Sequence, residues 1–177
     1  MSTTTEPVPP SIDPAIPPCH HRLGLRVYWE DTDAGGIVFY GNYLKFMERA
    51  RTEWLRTLGF SQEGMRRSGE GMFVVSDTQL RYLQPARLDD ALTVTVTVHE
   101  VGRASVLFEQ AVWRDATLLC QGRIRIGWVQ PVAGAQAGEG AFRPARIPAR
   151  ILAVLPAAMP PAAASPEPAV PARRHPV

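Results

Sequence analysis

Asp31 and Asp33 stand two residues apart, just ahead of Gly35, Gly36 and Gly41 and of a run that carries a helical apolar period. A helix start offers backbone N–H groups without partners and a partial positive charge. That end suits a carbonyl oxygen that becomes an oxyanion. Glycines let the backbone bend and let a ligand come close. A carboxylate beside such a site can act as nucleophile or general base in acyl transfer. Asp-x-Asp and Gly-Gly ahead of a helix are also ordinary turn chemistry, and the residues alone leave both readings open. A calcium loop fits poorly. With Asp31 at its first position, the fifth would be Gly35, which has no side-chain oxygen, and the twelfth would be Asn42 in place of a bidentate Glu.

The elements that hold these residues follow from their surroundings. Residues 23–29 are apolar, aromatic and β-branched enough for a strand. Tyr43, Phe46, Met47, Ala50, Trp54, Leu55 and Leu58 recur at steps of three and four, which predicts a helix over about 41–58 with one apolar face. Asn42 can cap its start, and Gly59 can take the left-handed conformation that ends it. Residues 61–69 read as a short helix or loop, and 72–83 as a strand of uneven alternation with a possible bulge. Leu92, Val94, Val96 and Val98 alternate with Thr93, Thr95, Thr97 and His99, a half-buried antiparallel strand whose polar face places His99 in solvent. Gly102-Arg103 turns the chain into a strand ending at Arg114. Asp115-Ala116 turns it again into a last strand, with Leu118, Cys120, Gly122, Ile124, Ile126 and Trp128 on one face and Arg123 and Arg125 on the other.

Proline marks the limits of the folded unit. Of 17 Pro in 177 residues, six lie within 1–20, ten within 131–177, and only Pro85 lies between. Proline costs about 3 kcal/mol inside a helix and removes a donor from a sheet. The expected organisation is an irregular segment over 1–20, one domain over 21–130, and a Pro/Ala-rich, largely disordered tail over 131–177. A short helix interrupted at Pro148 is expected within 143–155. The elements predict an α+β unit, an antiparallel sheet of about five strands around one long helix. Its open edges and modest core would gain from pairing with a second copy.

Net charge is +2, with no basic stripe interleaved with aromatics, so no nucleic acid is expected. No run of about 18 apolar residues is present and residues 1–20 lack a secretory pattern, so no transmembrane segment and a cytoplasmic location are expected. Cys19 and Cys120 make no disulfide framework. Cys19-His20-His21 lacks the spacing and the second pair that a metal site needs, so no metal is expected.

Three stretches carry a family resemblance: Val27-Tyr28-Trp29-Glu30-Asp31-Thr32-Asp33-Ala34-Gly35-Gly36, then Glu48-Arg49-Ala50-Arg51-Thr52-Glu53, then Pro85-Ala86-Arg87-Leu88-Asp89-Asp90. In order and spacing, over roughly 25–130, they resemble the hotdog-fold acyl-CoA thioesterases. The resemblance is to the YbgC-type enzymes associated with the Tol-Pal envelope system and to the related 4-hydroxybenzoyl-CoA thioesterases. It implies hydrolysis of an acyl-CoA thioester without a cofactor. It places the catalytic carboxylate on Asp33 and the oxyanion donors on the backbone N–H groups of Tyr40 and Gly41. It places coenzyme phosphate contacts on Arg103 and Ser105, and gives Asp31 a structural role. It also implies a homodimer or homotetramer with active sites between subunits. YbgC-type enzymes usually carry His where this chain has Tyr40; the 4-hydroxybenzoyl-CoA branch has Tyr. A backbone donor survives that change, whereas any acid–base role of the His does not. The alternative is a non-catalytic hotdog module that binds acyl carrier protein or envelope-complex proteins, which has no need of a carboxylate at Asp33. A hotdog dehydratase would normally want the His that Tyr40 replaces.

Overall fold

The computed structural model describes residues 16–132 and 142–159. The chain enters through β1 (His21–Arg26) and a single 3-10 turn (Trp29–Asp31), then forms α1 (Asn42–Thr57) and the short α2 (Gln62–Arg67). Four strands follow: β2 (Met72–Tyr82), β3 (Ala91–Val101), β4 (Ser105–Arg114) and β5 (Thr117–Pro131). A three-residue β6 (Phe142–Pro144) and α3 (Ala149–Leu152) complete the described chain.

The sheet order is β1-β3-β4-β5-β2, with β6 added at the end of β5, and every pairing is antiparallel. The long helix crosses this sheet, as the sequence predicts. Its apolar stripe, Tyr43, Phe46, Met47, Ala50, Trp54 and Leu55, is buried against Val94, Val96, Val98, Val106, Phe108, Ile124 and Trp128. The alternation in β3 therefore reports the face turned to the helix. The helix ends at Gly59, whose φ of 87° only glycine adopts without strain. Its N–H bonds Arg56 O and the N–H of Phe60 bonds Leu55 O, the paired closure of a Schellman end.

Several local expectations are corrected. The first strand ends at Arg26, not at 29, because the Asp31 carboxylate accepts the Tyr28 N–H at 3.0 Å and folds the next residues into the 3-10 turn. Asn42 is the first helical residue rather than the cap. Its side chain turns away from the helix and donates to Asp31 O at 2.9 Å. His99 sits at a bulge between Val98 and Glu100 and is half-buried, not solvated. On the exposed face of the helix Glu53 pairs with Arg56. The bulge expected in β2 lies between Val75 and Asp77.

Packing also continues past the expected boundary at residue 130. Ile147 and Ile151 are buried in the same core as the helix, and Arg150 lies over the Phe60 ring at 5.0 Å and pairs with Glu70. Pro148 caps α3 instead of interrupting a helix. Residues 1–15, 133–141 and 160–177, part of the segments expected to be irregular, lie outside the described residues.

Candidate active site

The acidic loop is held by its own hydrogen bonds and by the connection after β2. Asp33 N–H donates to Ile37 O and Gly36 N–H to Asp33 O, both at 2.9 Å, which closes a tight turn. Gly36 has a φ of 71°, a left-handed conformation that favours glycine in this turn. Val38 N–H reaches Ala86 O at 2.9 Å, and Ile37 bridges to Arg87. Ala86 N–H in turn donates to the buried Tyr43 phenol oxygen at 2.9 Å. The first and third sequence motifs are thus packed together around the start of α1.

The two aspartates have separate surroundings. Asp31 is 4% exposed; its carboxylate caps the 3-10 turn and its carbonyl takes the N–H of Phe39 and the Asn42 amide. Asp33 is exposed. One carboxylate oxygen accepts Gly35 N–H at 2.8 Å, which leaves the other oxygen open. A Cβ at Gly35 would stand 3.1 Å from that bound oxygen, so glycine there leaves the carboxylate room.

At the helix start, Gly41 is the N-cap and has an ordinary helical φ of −67°. A Cβ there would lie 3.0 Å from the exposed Phe39 ring, so the ring would have to shift slightly to admit one. Asn42 N–H bonds Phe39 O at 2.8 Å, whereas the N–H groups of Tyr40 and Gly41 have no partner among the described residues. Phe39, Tyr40 and Tyr82 form an exposed aromatic rim, with ring centroids 4.4 Å and 6.4 Å apart along the chain of contacts.

An apolar cavity of about 100 Å³ lies further along the helix. Trp54, Leu55, Phe73, Phe108 and Ile126 line it, together with Glu48 and Arg51. Arg51 donates to the buried Gln110 at 2.5 Å, and Gln110 donates to Met47 O at 3.0 Å. Burial lowers the Arg51 pKa, to about 10, with the Glu48 carboxylate acting in the opposite direction. Cys120, on the core face of β5, is a buried thiol whose pKa burial pushes up to about 12.

Arg103 and Ser105 are not brought to the acidic loop. They sit at the β3–β4 turn, where Ser105 pairs with Gly127, while the site end of the sheet is marked by Tyr82 opposite Cys120. The span from Cys120 to Gly127 is about 23 Å at ~3.3 Å per residue. Arg103 is exposed and its guanidinium has no partner among the described residues. Ser105 is engaged with Arg125, which also pairs with Glu100 at 3.1 Å. The Tyr82 phenol, which donates to Tyr40 O at 3.1 Å, was not marked by the sequence: a Tyr closing a strand of uneven alternation carries no signal of a contact 42 residues away.

This architecture, one helix crossed by a curled antiparallel sheet with an acidic loop at the helix start, is the hotdog fold. Residues 35–121 match the model of the thioesterase superfamily. An acyl-CoA thioesterase YbgC of Haemophilus influenzae is 42% identical over 123 residues, covering 67% of this chain and 90% of that protein. An acyl-CoA thioester hydrolase YbgC of Escherichia coli is 39% identical over 112 residues, covering 63% of this chain and 83% of that protein. The crystal structure of a probable thioesterase from Bartonella henselae superposes with a TM-score of 0.64 at 30% identity, covering 72% of this chain and 98% of that one. The chain belongs to the thioesterase superfamily.

Proposed function

We propose that this chain hydrolyses acyl-CoA thioesters to the free acid and CoA, with Asp33 as the reacting carboxylate. The observation that carries this is the pair of N–H groups, Tyr40 and Gly41, without a partner among the described residues at the start of the long helix, in a loop assembly that also holds an exposed Asp33. The thioester carbonyl accepts from those two groups. Each such donor is worth about 3 kcal/mol to an oxyanion. Asp33 attacks the carbonyl carbon or takes a proton from the attacking water; in the first route the one water consumed hydrolyses the mixed anhydride afterwards. Thiolate leaves as CoA in both. The names of the YbgC relatives support the acyl-CoA class, and the apolar cavity beside α1 offers room for an acyl group. Arg103, whose guanidinium has no partner among the described residues, is the cation for coenzyme phosphates, and Ser105, which accepts from Arg125, follows two residues on.

The chain forms a dimer through β2. That strand ends the sheet, has no neighbour on its outer side among the described residues, and is exposed along most of its length, with Val75 54% exposed. An uncovered strand of this length is a ready template for a second copy, and antiparallel pairing about a two-fold axis satisfies both edges. Sedimentation equilibrium should return the mass of two chains or a multiple of it; a monomer would exclude the pairing.

The reaction is tested by thiol release from a panel of acyl-CoA esters, from short straight chains to benzoyl and hydroxybenzoyl. Turnover of at least one ester above the uncatalysed rate is expected. Background release from the whole panel would reject the hydrolase and favour a module that binds acyl carrier protein or an envelope-complex protein.

A further inference from the structure

The oxyanion donors sit in a short stretch of backbone outside regular structure, and something must hold their direction. We propose that Tyr82 is a positioning residue for the oxyanion site: its phenol fixes the Tyr40–Gly41 peptide plane and thereby aims the Gly41 N–H. This rests on the oxyanion role proposed above for Gly41.

A trans peptide is planar, so the C=O of Tyr40 and the N–H of Gly41 point in opposite directions from one rigid unit. Fixing one fixes the other. The Tyr82 hydroxyl donates to Tyr40 O at 3.1 Å, and because a carbonyl can only accept, the phenol hydrogen is committed to that bond. A hydrogen bond at the oxygen also draws electron density through the amide and strengthens the N–H as a donor. Gly41 itself, lacking a side chain, offers no other anchor for the plane.

Tyr82 is well placed to act as that anchor. It is the last residue of β2, opposite Cys120 in the ladder, so its backbone is held by the sheet and not by the loop. Its ring packs edge-on against Tyr43 at 5.6 Å and Tyr40 at 6.4 Å, which restricts rotation about the side chain. Tyr43 belongs to the buried face of α1 and its hydroxyl receives Ala86 N–H. The sheet, the helix and the connection after β2 therefore converge on one phenol that touches the peptide carrying the donor. Partial burial raises the Tyr82 pKa, with Cys120 and Tyr40 adding to it, so the phenol keeps its proton through the neutral range.

The test compares wild type, Tyr82→Phe, and the protein with a ring-fluorinated tyrosine at 82, whose phenol ionises at lower pH. Tyr82→Phe keeps the ring contacts and removes the donor. Thiol release from the best ester of the panel should show kcat lower by about five- to tenfold in the Phe variant, with KM within about twofold. The alkaline fall of kcat should move to lower pH in the fluorotyrosine protein and be absent in the Phe variant, which a residue serving only packing would not produce. A kcat equal to wild type in the Phe variant, or an alkaline limb in the fluorotyrosine protein that stays in place, overturns the inference while leaving the hydrolase reading intact. No turnover by wild type rejects the hydrolase reading and this inference with it.

Discussion

Arg51 and Gln110 join the helix to the centre of the sheet, and the physics of that contact gives a prediction with a definite sign. Gln110 is 1% exposed; it accepts from the Arg51 guanidinium at 2.5 Å and donates to the Met47 carbonyl at 3.0 Å. Among the described residues no carboxylate forms an ion pair with Arg51, so Gln110 is its hydrogen-bonding partner in the core. Gln110→Met preserves volume and removes both bonds. A hydrogen bond to a charged group is worth about 2 kcal/mol and a neutral one about 1, so the variant should lose about 3 kcal/mol. With a urea m-value of about 2 kcal/mol per M for a domain of this size, the midpoint should fall by about 1.5 M. Most of that loss comes from leaving a half-buried guanidinium without its acceptor. Removing the charge as well, in Arg51→Met/Gln110→Met, should recover about 1–2 kcal/mol relative to Gln110→Met alone. Urea unfolding of the four proteins of the cycle measures this directly. A double variant no more stable than Gln110→Met would refute the reasoning, because it would mean that the charge carries no penalty once its partner is gone.

Gly35→Ala fits the backbone but places a methyl 3.1 Å from the Asp33 oxygen. It should lower kcat by about fivefold by displacing the carboxylate, with stability within ~0.5 kcal/mol of wild type; unchanged kinetics would show that the carboxylate tolerates the shift. Arg103→Ala should raise KM for acyl-CoA by about fivefold at low salt with kcat unchanged, and the difference should shrink as salt is added; a salt-independent KM would remove Arg103 from phosphate binding. Burial, as the largest cause, lowers the pKa of His20 and His21, opposed at His21 by Glu53. The unfolded chain then binds more protons than the folded one below its pKa of about 6.5, so stability is full above that pH and is lost as pH falls through the lower folded values. His20 Nδ1 accepts Val98 N–H at 2.9 Å, a bond that protonation of Nδ1 breaks. Unfolding midpoints should fall between about pH 7.5 and about pH 5 in wild type and fall less in His20→Asn/His21→Asn; parallel pH profiles would exclude the histidines.

The parts of the fold that the sequence reveals are those written by local periodicity. The stripe from Tyr43 to Leu55 and the alternation from Leu92 to Val98 each report burial within one element; the apolar members of both are buried as expected, and Thr95, expected on the polar face of β3, is buried as well. The acidic loop was legible because its residue types, Asp, Gly and a following helical period, are close together in the chain. What failed was decided by side chains reaching over a turn or across the sheet. Asp31 bending the chain at Tyr28 and Asn42 turning back to Asp31 O are side-chain choices that propensity does not contain. Ile147 and Ile151 lie in a stretch whose Ala, Pro and Gly content points away from structure, yet they join a core built around α1, which ends about 90 residues before Ile147. The Arg51–Gln110 and Tyr82–Tyr40 bonds join residues 59 and 42 positions apart, and no pattern in a single sequence pairs them.

We propose that Asp33, an exposed carboxylate in the loop that precedes α1, does the chemistry. Steady-state thiol release by Asp33→Asn beside wild type, on the preferred acyl-CoA, tests it most directly, because Asn retains the acceptor for Gly35 N–H and so the turn. A kcat lower by about a hundredfold or more is expected, with the fold intact by circular dichroism. Equal rates in the two proteins would contradict it and take Asp33 out of the mechanism.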